Sequence, residues 1–289
     1  MKNLIKSGFT RFSIKYCKIY FKIWFKIYTK FKKKSIETER IGTVYGGWSI
    51  PINLLNSESV CYLAGAGEDL SFDVGIVNNY NCKVYIIDPT PRAYAHYQAL
   101  VQNTQNGLNT NINNEAGLFY DLLPEKINKL EFLKIGLWSD NGELKFFEPI
   151  NSMDVSHSVL NLQNTQKYFI GQVKKLTELM KELNHEYLDL LKIDIEGAEY
   201  EVIKTIIKDK IKIKVICVEF DEANHKIDNK YLLRIKYSLN SLLKAGYRII
   251  DYDTRHNYTL IRNDIFNQLF KQNRLKTDSR FLRNKRNKY

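Results

Sequence analysis

At 289 residues, with 44% hydrophobic and 26% charged side chains, the chain has the composition of a soluble globular protein of one large or two small domains, not of a disordered or fibrous one. Its net charge of +12 is unevenly held: residues 1–34 carry 11 Lys/Arg and no acid, residues 271–289 carry 8 and one Asp, and the stretch between has 25 basic against 31 acidic residues. An acidic domain between two basic ends excludes a fold surface built for nucleic acid.

Residues 1–34 predict a basic amphipathic helix or tail. Arg11, Lys15, Lys18, Lys22, Lys26, Lys30 and Lys33 recur three or four apart, on one helical face, and Tyr16, Tyr20, Trp24, Ile27, Tyr28 and Phe31 fall opposite. That pattern suits residues 10–34 to an anionic membrane surface; the alternatives are a disordered or domain-packed basic tail and attraction to nucleic acid. A lysine in every turn rules out a spanning helix, and no apolar run with a small-residue cleavage site marks a signal peptide. After a short linker (35–40), "GTVYGGWSIPINLL" reads as a Gly-rich loop leading to a lid or edge. From here a domain is expected over 41–264, with a basic tail over 265–289.

The segments "SVCYLAGAGEDLSFDVGIVNNY" and "CKVYIIDPTPRAYAHYQALVQN" each read strand, turn, helix. "FLKIGLWSDNGELKFFEP" reads as two strands about a turn at Asn141-Gly142, then a polar loop, then a helix in "VKKLTELMKELNH". "LLKIDIEGAEYEVI" is a buried strand turning at Gly197 into a helix; "KVICVEF" is another strand, "YLLRIKYSLNSLLKAG" a helix, and "YRIIDYD" and "YTLIRND" a closing pair. Alternating strands and helices imply a mainly parallel sheet covered on both faces, and the short "TRHN" connection allows only an antiparallel final pair. Cys17, Cys61, Cys82 and Cys217 show no metal spacing and read as small buried hydrophobes of a reducing compartment, hence a cytoplasmic protein, peripheral at a membrane surface if the helix binds one.

Gly65 and Gly67 in "AGAGEDL" open the first strand–helix turn to close backbone approach by a ligand. Leu70 occupies the third glycine of a dinucleotide motif, and Glu68 and Asp69 would repel a pyrophosphate but suit a cationic or aminoacyl group. Asp88, 21 residues after Gly67, ends the second strand, where a carboxylate holds ribose hydroxyls or caps the next helix. An adenosine ligand without a diphosphate fits, and S-adenosylmethionine answers that description. Asp194 and Glu196 end the fourth core strand: Asp194 is placed to take a proton from a hydroxyl nucleophile, with Glu196 positioning substrate or binding a cation. Glu219 and Asp221 end the neighbouring strand and would complete an oxygen-rich site for Mg2+. The alternative for Glu196 and Glu199 is capping of the following helix. His157 in "SHS" reads first as a surface histidine, and second as a base or substrate ligand. The Pro-Pro-aromatic element of base-directed N-methyltransferases is replaced by Ile195-Glu196-Gly197, which argues against nucleic acid as substrate, and no GxSxG, HExxH or Walker sequence occurs.

These segments together resemble the FkbM-type family of S-adenosylmethionine-dependent methyltransferases. "KIDIEGAEYEVI", "YLAGAGEDLSFD", "VYIIDPTP", "GTVYGGWSIP", "GLWSDNGELKFFEP" and "GYRIIDYDTRHNYTLIRND" match in order over roughly 43–263, and the turn after the second strand is similar to the branch with a DPTP-like sequence. The resemblance implies a Rossmann-like, seven-stranded methyltransferase sheet and O-methylation, often of a sugar hydroxyl in glycan or polyketide biosynthesis. It also implies that Gly65 and Gly67 line the methionine end of the cofactor, that Asp88 holds the ribose, and that Gly136 to Trp138 flank the adenine. Many members place an acid just before the glycine turn; here Leu63-Ala64 stands there, so Glu68 or Asp69 takes that part. The expected function is O-methylation of a glycan or glycolipid. The alternative is an inactive module of the same fold that binds membranes or polyanions through its basic ends.

Overall fold

A computed structural model describes residues 22–112, 117–151, 154–161, 163–224 and 226–272. Helix α1 (22–32) leads into an antiparallel pair, β1 (Thr38–Ile41) and β2 (Trp48–Pro51). There follow β3 (Val60–Ala64), α2 (Ser71–Tyr80), β4 (Lys83–Ile87), α3 (Pro91–Gln105) and β5 (Leu130–Leu133). Next come β6 (Gly136–Trp138), β7 (Gly142–Phe147), β8 (Tyr168–Lys175) and α4 (Leu176–Glu182). The last part runs β9 (Leu188–Ile193), α5 (Glu199–Lys208), β10 (Ile213–Glu219), α6 (Tyr231–Lys244), β11 (Tyr247–Tyr252), β12 (Asn257–Arg262) and α7 (263–272).

The main sheet has seven strands in the order β11-β12-β10-β9-β3-β4-β5. The five from β10 to β5 are parallel, and β12 lies antiparallel to both β10 and β11. All six residues of β9 are buried, Asp189 and Lys192 included, because a central parallel strand is covered on both faces. One apolar layer joins α2, α3 and α7 to the sheet through Phe72, Ile76, Leu100 and Phe266; the other joins α4, α5 and α6 through Leu176, Val202, Ile206, Ile235 and Leu239. The chain leaves β3 toward β4 on one side and returns to β9 on the other. The order therefore reverses between β3 and β9, where open α/β sheets hold ligands beyond their carboxyl ends.

Three regions depart from the sequence expectation. Residues 168–175, expected as the end of a loop and the start of a helix, form β8, because β6 pairs with one edge in parallel and β7 with the other in antiparallel. The strands around Asn141-Gly142 are thus held apart by β8 rather than paired as a hairpin. The linker and Gly-rich loop contain β1 and β2, with Thr38 to Ile41 registered on Pro51 to Trp48. The boundary expected at 264 falls inside α7, whose Phe266 and Leu269 are buried.

Helix α1 packs on the domain through Phe25, 3% exposed, and Thr29, 2% exposed. The Tyr28 hydroxyl donates to Asn240, and the Lys236 ammonium lies 4.6 Å from the Trp24 ring centroid. The expected helical positions at Arg11, Lys15, Tyr16, Lys18 and Tyr20, together with Cys17 and the tail beyond 272, lie outside the described residues. Cys61, Cys82 and Cys217 are free and buried, as expected of small core side chains.

Candidate active site

A cleft of about 820 Å³, open mouth included, sits at the carboxyl ends of β3, β4 and β9. Its floor is the turn from Gly65 to Asp69 and the strand ends Ile87 to Thr90 and Asp194 to Glu196; Gly136 and Leu137 line one wall, and Tyr45 and the loop from Val155 to Val159 overhang it. The size suits a small ligand or cofactor.

The glycine turn is held by protein as well as shaped for ligand. Gly65 has φ +85°, and a Cβ there would lie 1.5 Å from the Asp194 carbonyl oxygen. The close approach expected of a ligand at Gly65 is therefore made by the backbone of β9's end. Gly67 (φ +54°) is different, since a Cβ would meet only Val155 Cγ2, at 3.2 Å. Asp88 is 5% exposed and lines the cleft. Its Oδ2 accepts the N–H groups of Ala66 (2.8 Å) and Gly67 (3.2 Å), and its Oδ1 accepts the N–H (2.7 Å) and hydroxyl (2.6 Å) of Thr90. The carboxylate thus ties the second strand to the glycine turn. All four of its acceptor positions are occupied.

The two acids after Gly67 are clamps. Glu68 pairs with Arg92, which also donates to the Asp154 carbonyl and so joins the turn to the overhanging loop. Asp69 Oδ2 accepts the Thr43 hydroxyl at 2.6 Å, and Oδ1 accepts the Ser71 N–H at 2.9 Å, fastening the Gly-rich loop to the start of α2. Both residues line the cleft. Trp138, expected beside the cofactor, does not: Gly136 and Leu137 do, while Trp138 is paired with Lys175 on β8 in the small sheet.

The structure brings Asp194, Glu219 and Asp221 together, with one carboxylate oxygen from each lying within 4.8 Å of the others. Asp194 lies 3.0 Å from the Lys192 ammonium, which also donates to the Gly65 carbonyl. Burial acts to lower the Lys192 pKa, but Asp194 and Asp73 outweigh it and the group is raised. Glu196 stands at φ +54°, uncommon for a residue with a branched or long side chain. Its N–H donates to Asp221 (3.0 Å), and its carbonyl accepts from Ser158. Burial pushes its carboxyl up to about 8, with Asp194 and Glu199 adding to the shift. Glu219 is pushed to about 9, by burial first and then by Asp194. Asp221 rises for the same reasons, burial and its neighbouring carboxylates.

Glu199, the first residue of α5, makes no cap to the helix; its Oε1 accepts the N–H groups of Gly197 (2.8 Å) and Ile195 (3.3 Å) and so holds the turn before it. Its Oε2 is buried without a donor beside Asp221. His157, read first as a surface histidine, lines the cleft, and its Nδ1 lies 2.9 Å from the Val155 carbonyl. A carbonyl only accepts, so Nδ1 carries a proton. Sequence reasoning missed Lys192, Tyr45 and Arg92. Lys192 was the findable one: a lysine inside the otherwise apolar "LLKI" run two residues before Asp194. Tyr45 overhangs the acids, and burial followed by Asp194 raises its hydroxyl to about 12.

The parallel sheet closed by an antiparallel strand, with a glycine turn and a carboxylate-ended second strand at its switch point, defines a Rossmann-like ligand-binding fold. Residues 64–249 match the family described as "Methyltransferase FkbM domain". The chain belongs to that family. No curated protein matches it. Among solved structures it is similar to a fibrillarin pre-rRNA processing protein of Methanococcus jannaschii (13% identity, 80% of this chain and 85% of that one, TM-score 0.38). It is also similar to Aeropyrum pernix fibrillarin with natively bound S-adenosyl-L-methionine (9%, 80% and 84%, TM-score 0.37) and to an rRNA methylase of Streptococcus thermophilus (10%, 72% and 89%, TM-score 0.36). These likenesses are remote, and the assignment to the methyltransferase family rests on the family match.

Proposed function

We propose that this methyltransferase transfers the methyl group of S-adenosylmethionine to a hydroxyl of a carbohydrate acceptor, with Mg2+ as a second cofactor. The observation that supports the reading is the cluster of Asp194, Glu219 and Asp221, of which Asp194 lines the cleft beside Gly65. Bound there, S-adenosylmethionine supplies an electrophilic methyl carbon on a sulfonium. The open side of Gly67 receives its methionine end, and Asp88 receives the ribose by exchanging its Thr90 hydroxyl bond for a ribose one. Asp194, the acid on the cleft floor nearest Gly65, takes the acceptor's proton as its oxygen attacks, general-base help worth about 10² to 10⁴ in rate. Tyr45 and His157 hold the acceptor from above.

The residues present fit a hard cation. Asp194, Glu196, Glu199 and Glu219 all act on Asp221 as like charges, Lys192 and Arg255 are cations that act on the cluster, and the buried Glu199 Oε2 lacks a donor. Buried carboxylates in surplus are compensated by protons or metal. Mg2+ on Asp194, Glu219 and Asp221 would supply a Lewis acid beside the acceptor oxygen.

Calorimetry with S-adenosylmethionine and its demethylated product is the test. Saturable binding is expected, weakened about tenfold or more by Asp88→Ala, a loss typical of a charged hydrogen-bond acceptor. Asp194→Asn should keep cofactor binding and lose transfer to hydroxylated sugars. Cofactor binding without turnover on any such acceptor would sink the carbohydrate reading, and no binding would leave a non-catalytic module.

A further inference from the structure

We infer that α1 is a docking surface for an anionic lipid bilayer. Three faces are distinguishable on this helix. Phe25 and Thr29 form the buried one. Roughly opposite, one turn apart, stand Ile23, Ile27 and Phe31, which are 52%, 48% and 81% exposed. Between the two runs an exposed row of Lys22, Lys26 and Lys30. A helix fixed to its domain by one face, with an apolar stripe turned outward and cations along the flank, has the form of an interfacial helix.

Charge selects the occupant. The segment 1–34 holds 11 cations and no acid, whereas the domain between the two ends carries a surplus of acids. An anionic surface therefore attracts the helix and repels the domain, which fixes the orientation. A nucleic acid would satisfy the lysines but leave Ile23, Ile27 and Phe31 in water. A second copy would bring two cationic segments together. No described helix is long and apolar enough to cross a membrane, so the helix lies on the surface.

The first turn of α1 sits at the cleft's end of the sheet. Phe25 packs on His256 with ring centroids 5.9 Å apart, in the β11–β12 turn. From that turn Arg255 donates to the Val44 carbonyl at 3.0 Å, beside Tyr45 on the cleft. Resting on the methyl-transfer reading, this favours acceptor hydroxyls on lipid-anchored headgroups.

The experiment is co-sedimentation of the full chain with vesicles of phosphatidylcholine alone and of phosphatidylcholine with roughly one-third phosphatidylglycerol, at low and high salt. Binding is expected only to the anionic vesicles and should fade with salt. Each Lys→Glu change at Lys22, Lys26 or Lys30 should weaken it at least about fivefold. The pair Ile27→Glu and Phe31→Glu, both exposed, should abolish it. The S-adenosylmethionine-induced thermal shift of each variant, read in parallel, should equal that of the parent, so loss of docking and loss of the cofactor site are separately visible. Absent vesicle binding, or an Ile27→Glu/Phe31→Glu chain that still binds, overturns the inference. A parent dimer that this pair dissociates would assign the stripe to a second copy. Salt-sensitive binding to RNA with none to vesicles would assign the cations to nucleic acid.

Discussion

Gly65 and Gly67 look alike in the sequence and differ in the folded chain. A methyl group at Gly65 would overlap the Asp194 carbonyl, whereas one at Gly67 needs only a small retreat of Val155. Gly65→Ala should therefore cost about 3 kcal/mol or more in urea unfolding, and Gly67→Ala about 1 kcal/mol with the larger effect on cofactor affinity. The sequence showed that this turn needs glycine, but not which contact demands each one, because that contact comes from a strand about 130 residues later. Asp73 makes a second case. It is buried, Oδ1 has no partner, and desolvation raises its carboxyl to about 7 from an ordinary 3.8. The folded state holds a proton there that the unfolded chain releases, so this stabilisation is fullest below pH 4 and is lost as pH rises toward 7. Glu196, Glu199 and Glu219 act in the same direction. Without divalent cations, melting temperature should fall from pH 5 to pH 9, and Asp73→Asn should flatten the acidic part of that slope. Nothing in "SFDVG" distinguishes this buried aspartate from a solvated helical one, since burial is a property of the fold.

Among the elements, those with the cleanest periodicity were the most legible. The first two strand–turn–helix units, the β9–α5 junction and the closing antiparallel pair lie where apolar runs and turn residues put them. β8 was not legible, because Tyr168 to Lys175 mixes exposed and half-buried residues and gains strand form from partners on both edges. Its neighbouring loop was equally obscure in sequence, yet it carries His157 and Val155 over the cleft. That loop is fastened to the glycine turn through Arg92, which reaches both Glu68 and the Asp154 carbonyl. Arg92→Ala should leave the melting temperature within a few degrees, since the pair is half-exposed. It should also speed proteolysis in 151–161 and weaken acceptor binding more than cofactor binding. Equal cleavage rates in parent and variant would count against Arg92 as the fastener.

At the level of the molecule, the charge map drawn from sequence holds without a structure, since composition alone separates an acidic domain from basic ends. What composition lacked was the seating of α1: a two-sided helix in the sequence becomes three-sided once Phe25 and Thr29 enter the core. The strand order has another consequence, one in time rather than space. β12, the last of the described strands, is inserted between β10 and β11. While a nascent chain is still on the ribosome, β11 emerges with no neighbour and β10 keeps a bare edge. Both wait for the final 257–262 segment. Premature termination after Tyr252 should thus yield not a shortened enzyme but a sticky, aggregating one.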